Sequence, residues 1–117
     1  MADKPNTKEE KWPSYTMVEP RMRKIYFQFY QETYKSSHLD RKTKELIAIA
    51  ASLASHCKGC LEGHIKKALK AGATKEEIAE ALSVAVAMNA GAALVYSARV
   101  MDAYAAKTEN EAVGATR

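Results

Sequence analysis

Two cysteines and a histidine stand close together in this 117-residue chain, as Cys57-Lys58-Gly59-Cys60 followed by His64. If a helix begins near Cys57, the three positions are related as i, i+3 and i+7. At about 100° per residue they fall within an arc of roughly 60° and face one direction. That arrangement suits thiol redox chemistry. Only a thiolate attacks a peroxide or a disulfide, and a helix N-terminus stabilises thiolate through its backbone N–H groups and positive dipole end. A nearby imidazole can take the thiol proton, and a carboxylate can hold that imidazole in one tautomer. The second cysteine then traps a sulfenic acid as a disulfide before further oxidation.

His64 lies i+4 from Cys60, one turn away, which makes Cys60 the expected nucleophile. Cys57 is two turns from His64 and is expected to be the more exposed sulfur, placed to resolve or to meet a partner. Glu45 is the carboxylate candidate, at the head of the apolar stretch Leu46-Ile47-Ala48-Ile49. Its contact with His64 depends on how two helices pack. Glu62 is nearer in sequence but points away from the Cys60–His64 stripe. A zinc reading stays open, since a CxxC with His64 supplies three ligands and His38, His56 or a carboxylate could supply a fourth. His56 alone reads as a solvated helix-end residue.

The elements that must position these groups are helical throughout. Pro20 fits a first helical turn, and Met22, Ile25, Tyr26, Phe29 and Tyr30 fall at helical spacing, predicting a helix over 19–35. Asp40 is a plausible N-cap for a second helix to about His56. A third spans roughly 57–71 and stops at Gly72. Thr74-Lys75-Glu76-Glu77 reads as a capping box, opening a segment that divides near Asn89-Ala90-Gly91 into two further helices. The expected architecture is all-α, an oligomeric bundle of five to six helices. Residues 1–16 read as a flexible N-terminal arm, 17–107 as the helical domain and 108–117 as an unstructured C-terminal tail.

Charge and composition narrow the function. The 18 Lys and Arg against 14 Asp and Glu leave a net charge of +4, dispersed and without an arginine-rich stripe, so nucleic acid is not an expected partner. Two cysteines this close constrain almost nothing in the unfolded chain, which points to reactivity rather than stapling. The polar stretch Met1–Glu10 has no apolar signal region, so the expected compartment is cytoplasmic and reducing. Ala81–Ala98 is an uncharged run of membrane-helix length. Its small residues and Ser83, Asn89 and Ser97 favour a protein interface over a membrane.

The pattern Glu45-x11-Cys57-x2-Cys60-x3-His64, then Ala-Gly-Ala-Thr-x-Glu-Glu-Ile over 71–78, resembles the alkylhydroperoxidase (AhpD-like) branch of the carboxymuconolactone decarboxylase family. The run Met88-Asn-Ala-Gly91-Ala-Ala-x-x-Tyr96 to Ala103 resembles it too, so the likeness covers about 37–104. It implies a helical bundle assembled as trimers or hexamers, here a hexamer built as a trimer of dimers. It implies that Cys60 becomes the sulfenic acid, that Cys57 donates a proton and resolves, and that His64 and Glu45 relay protons. It further implies hydroperoxide reduction with no cofactor beyond the Cys57–Cys60 disulfide, and electrons from a dithiol donor such as a lipoyl or thioredoxin-like protein. One departure is Gly59, where the peroxidase members carry a histidine that serves as a proton donor. Two alternatives remain: a lactone decarboxylase, and a non-enzymatic zinc-binding or redox-sensing helical oligomer.

Overall fold

The computed structural model describes residues 18–115, and every regular element among them is an α-helix. They are α1 (Pro20–Tyr34), α2 (Arg41–Ala54), α3 (Lys58–Lys70) and α4 (Lys75–Ala115). The expected arm 1–16 lies outside the described residues. The chain falls into two units, one ending at Asp40 and one beginning at Arg41.

In the first unit α1 starts where Pro20 was expected to start it. The Glu19 carboxylate accepts the N–H groups of Arg21 and Met22, both at 3.1 Å, which satisfies two donors that a helix start leaves orphaned. Tyr26, Tyr30 and Tyr34 run along one face, with ring centroids 6.3 and 4.6 Å apart in sequence order.

In the second unit α2 packs against both α3 and α4. The core is Ile49, Ala68 and Ala73, with Leu46, Leu61, Ile65, Ile78 and Leu82 packed around it. Alanines at the contact let the helix axes approach closely, and Ile49, fully buried, fills the space between them. Burying such a side chain stabilises by about 1.5–3 kcal/mol.

Both helices that flank the site end in the same way. At the end of α3, Gly72 adopts φ 91°, its N–H bonds to Leu69 O, and the N–H of Ala73 bonds to Ala68 O. At the end of α2, His56 takes the left-handed position with φ 55°, its N–H bonds to Leu53 O, and the N–H of Cys57 bonds to Ser52 O. These are the paired bonds of a Schellman closure.

The capping box forms as expected. Thr74 N–H donates to Glu77 at 2.9 Å and Glu77 N–H donates to the Thr74 hydroxyl at 3.1 Å. Glu77 also pairs with Lys42 Nζ at 2.8 Å, tying the start of α4 to α2. Lys42, and next the Thr74 N–H, hold the Glu77 carboxyl below the usual carboxylate range.

Two expectations need correction. Four helices form among the described residues, not five to six, because α4 runs unbroken for 41 residues through Asn89-Ala90-Gly91. Neither Asn nor Gly removes a backbone donor, and the cost of one glycine, about 1 kcal/mol against alanine, is absorbed by the alanines on either side. The expected tail is also helical from 108 to 115. Thr108 folds its hydroxyl back onto Tyr104 O and Ala105 O, so it continues the helix instead of ending it.

Candidate functional site

Glu45 sits one turn into α2 and is fully buried; His64 sits mid-way along α3 and is 9% exposed. The antiparallel packing of α2 on α3 brings them together, with Glu45 Oε2 2.7 Å from His64 Nδ1. The other carboxylate oxygen, Oε1, lies 3.4 Å from Arg41 Nη2. A buried carboxylate is costly unless its oxygens are engaged, and here both are. A carboxylate only accepts, so Nδ1 is the donor of this pair and Nε2 becomes the basic nitrogen of the neutral ring.

Cys57 and Cys60 are joined as a disulfide with Cα atoms 5.2 Å apart, a normal separation for a bridge. Cys57 is the N-cap of α3, and its sulfur accepts the N–H of Cys60 at 3.2 Å. Its own N–H is taken by Ser52 O, and its carbonyl accepts from Leu61. Cys57 is thereby held on both sides, by the end of α2 and the start of α3.

This pinning reverses one expectation. Cys57 is half-buried and Cys60 is exposed, the opposite of the order read from distance to His64. The N-cap residue lies in the turn between two packed helices, whereas Cys60 is on the first turn's outer surface. Cys60 does lie one turn before His64 on α3, as expected. Glu62 is exposed, away from the pair, and His56 is exposed at the end of α2. Among the described residues no three of His, Cys, Asp or Glu are grouped to hold a metal ion.

Arg41 was not anticipated. Its i, i+4 relation to Glu45 was visible in the sequence, yet that spacing on a surface helix ordinarily marks an exposed ion pair of little consequence. Only the burial of Glu45 gives the contact weight.

A family model for the carboxymuconolactone decarboxylase family matches residues 20–103. The chain belongs to that family. Among its relatives is an uncharacterised protein of Haemophilus influenzae, 41% identical over 85 residues, which cover 73% of this chain and 75% of that one. Another is an uncharacterised protein of the cox locus of Paracoccus denitrificans, 46% identical over 63 residues; the match spans 54% of this chain and 57% of that protein. A solved structure from Methanobacterium thermoautotrophicum superposes with TM-score 0.65 at 32% identity, covering 69% of this chain and 91% of the other. A member of the family from Legionella pneumophila gives TM-score 0.60 at 38% identity, over 72% of this chain and 75% of that one. A third, from Thermotoga maritima, gives TM-score 0.55 at 36% identity, covering 57% of this chain and 69% of the other. It is described in connection with antioxidative response. The Cys57–Cys60 pair in a chain of this family fits a redox role.

Proposed function

We propose that this protein is a thiol peroxidase of the alkylhydroperoxidase type, cycling Cys57 and Cys60 between dithiol and disulfide. The observation that carries the reading is the buried pair of Glu45 on α2 and His64 on α3, 2.7 Å apart, with His64 on the helix whose start carries the disulfide. A carboxylate buried for stability alone is a poor bargain against apolar packing, whereas a carboxylate-oriented imidazole one turn from a thiol is a working proton acceptor.

In the oxidative half, Cys60 thiolate attacks the O–O bond of a hydroperoxide, giving Cys60 sulfenic acid and an alcohol, with His64 supplying the proton to the departing oxygen. Cys57 thiolate then attacks the Cys60 sulfur, expels water with one further proton, and forms the disulfide. In the reductive half, a thiolate of a dithiol donor attacks the exposed Cys60 sulfur and releases Cys57 thiolate. The Cys60 N–H directed at the Cys57 sulfur stabilises that leaving group. The donor's second thiol completes the exchange, leaving the donor oxidised and both cysteines reduced. A lipoyl or thioredoxin-like protein has the required chemistry, and the cycle suits a cytoplasmic compartment. A lactone decarboxylase would leave the disulfide without a task.

The test is peroxide reactivity in four variants. Cys57→Ser retains a Cys60 that reacts and stops at sulfenic acid, and with a monothiol in place of the dithiol donor it accumulates a mixed disulfide. Cys60→Ser does neither. His64→Ala slows sulfenate formation by about 10²-fold or more if the imidazole moves the proton, and Glu45→Gln slows it less. Peroxide reactivity in Cys60→Ser but not Cys57→Ser would reverse the roles of the sulfurs. Equal rates in His64→Ala and the native chain would remove the relay.

A further inference from the structure

The disulfide occupies one end of the α2–α3 pair; at the other end, three cationic side chains from both helices line one cleft. Arg41 opens α2, Lys67 and Lys70 stand in the last turn of α3, and with Ala71 they line the cleft among the described residues. The cavity holds about 250 Å³, against about 30 Å³ for one water's share of the liquid. A small ion fits with part of its hydration shell.

Lysines in a helix's last turn commonly answer its negative dipole end. Here the backbone already closes that end: Ala71 N–H bonds to Lys67 O, Gly72 N–H to Leu69 O and Ala73 N–H to Ala68 O, at 2.9, 3.0 and 2.9 Å. Arg41 stands at the positive end of α2, where the dipole does not favour a cation, and is held there by its long contact with Glu45 Oε1. Neither Arg41 nor Lys67 lacks interactions of its own. Convergence of three cations on one cavity, not an unpaired charge, makes this a site for an anion.

We infer that the cleft binds a small oxyanion of the phosphate type, and that Arg41 reports its presence to Glu45. A guanidinium fork and two ammonium groups match the several oxygens of a phosphate group. Arg41 is suited to respond, because its side chain is 51% exposed and its contact with Glu45 Oε1 is long, at 3.4 Å. Drawn toward a bound anion, it leaves the buried carboxylate facing His64 alone. Any effect on peroxide turnover rests on the function proposed above; binding and the signal at His64 do not.

The experiment is NMR on the ¹⁵N-labelled full chain at low ionic strength, titrated with inorganic phosphate and separately with glycerol 3-phosphate. Saturable shifts are expected at Lys67, Lys70 and Ala71, with a concurrent change in the His64 Nδ1–H resonance. Lys70→Gln weakens binding about tenfold, the loss of one charge-assisted hydrogen bond. Arg41→Gln abolishes the His64 response. Tighter binding of glycerol 3-phosphate assigns an organic phosphate as the ligand, and equal binding assigns the free ion. Non-saturating shifts spread over Lys44, Lys75 and Lys107 would overturn the site, as would native affinity in Lys70→Gln. Saturable binding with an unmoved His64 resonance would overturn the link through Arg41. Binding and a His64 response in a chain without peroxidase activity would uphold this site while the proposed function fell.

Discussion

Gly59 sits in the first turn of α3 between the two sulfurs' positions, where the peroxidases resembled by this chain carry a histidine. A Cβ built there meets nothing within 4 Å, so the glycine is not imposed by crowding. On the proposed cycle, an imidazole at this position would supply a second proton donor in the first turn of α3. Gly59→His is therefore expected to fold as the native chain does, with a melting temperature equal or higher, because glycine is the poorer helix former by a few tenths of a kcal/mol. Peroxide consumption under saturating dithiol should rise. A stable variant with unchanged turnover would show that Glu45 and His64 already meet the proton demand.

At the scale of elements, the α2–α3 turn carries a cost that the α3–α4 turn does not. His56 and Gly72 occupy equivalent left-handed positions, yet a side chain there is strained by roughly 1 kcal/mol or more. Replacing His56 by Gly relieves that strain but loosens the unfolded chain, so the net gain is about 0.5 kcal/mol. His56→Val, β-branched, loses about 1–2 kcal/mol. Thermal melts should rank the three as Gly, His, Val; a Val variant as stable as the native chain would contradict the strained turn.

The start of α4 carries a pH dependence of defined sign. Glu77's carboxyl is held below its ordinary value, first by Lys42, so its contribution is present above the usual carboxylate range, about 4.3. It is lost as pH falls through the depressed folded value. Glu77→Gln should flatten this part of the acid limb in denaturant melts. An acid limb identical to the native one would remove the Lys42–Glu77 tie from the account.

At the scale of the whole molecule, much of the apolar length of α4 is exposed among the described residues. At about 1.5 Å per residue its 41 residues extend roughly 60 Å. Beyond Ala85 the helix is exposed almost throughout, with Leu94 at 74% and Val95 at 78%. By length and composition α4 could cross a membrane. Its Ala-rich composition and its Ser83, Asn89 and Ser97 instead suit close helix–helix contact, and apolar surface of this extent marks an interaction site. The expected occupant is a further copy of this chain, in a hexamer. Light scattering at micromolar concentration should give a multiple of the 12.9 kDa chain, and Val95→Glu should lower it. A native monomer, or a Val95→Glu chain that assembles unchanged, would refute this; partition into vesicles would assign the face to lipid.

Much of the site could be read from residue order because its parts are local. The CxxC at a helix start, the i+4 step from Cys60 to His64, the Gly72 stop and the Thr74–Glu77 box each depend on neighbours within about two turns, where helical geometry alone sets direction. Glu45 could be nominated but not joined to His64, since their 19-residue separation is bridged only by the packing of α2 on α3. The same packing decided that Cys57, at the junction of both helices, is the less exposed sulfur. The continuity of α4 is not legible in the tripeptide, because Asn-Ala-Gly is a weak breaker whose cost of about 1 kcal/mol is settled by the whole helix. Arg41's contact with Glu45 likewise depended on burial, which no spacing reveals: a charge pair acquires weight when one partner leaves water, and only the tertiary structure takes Glu45 out of it.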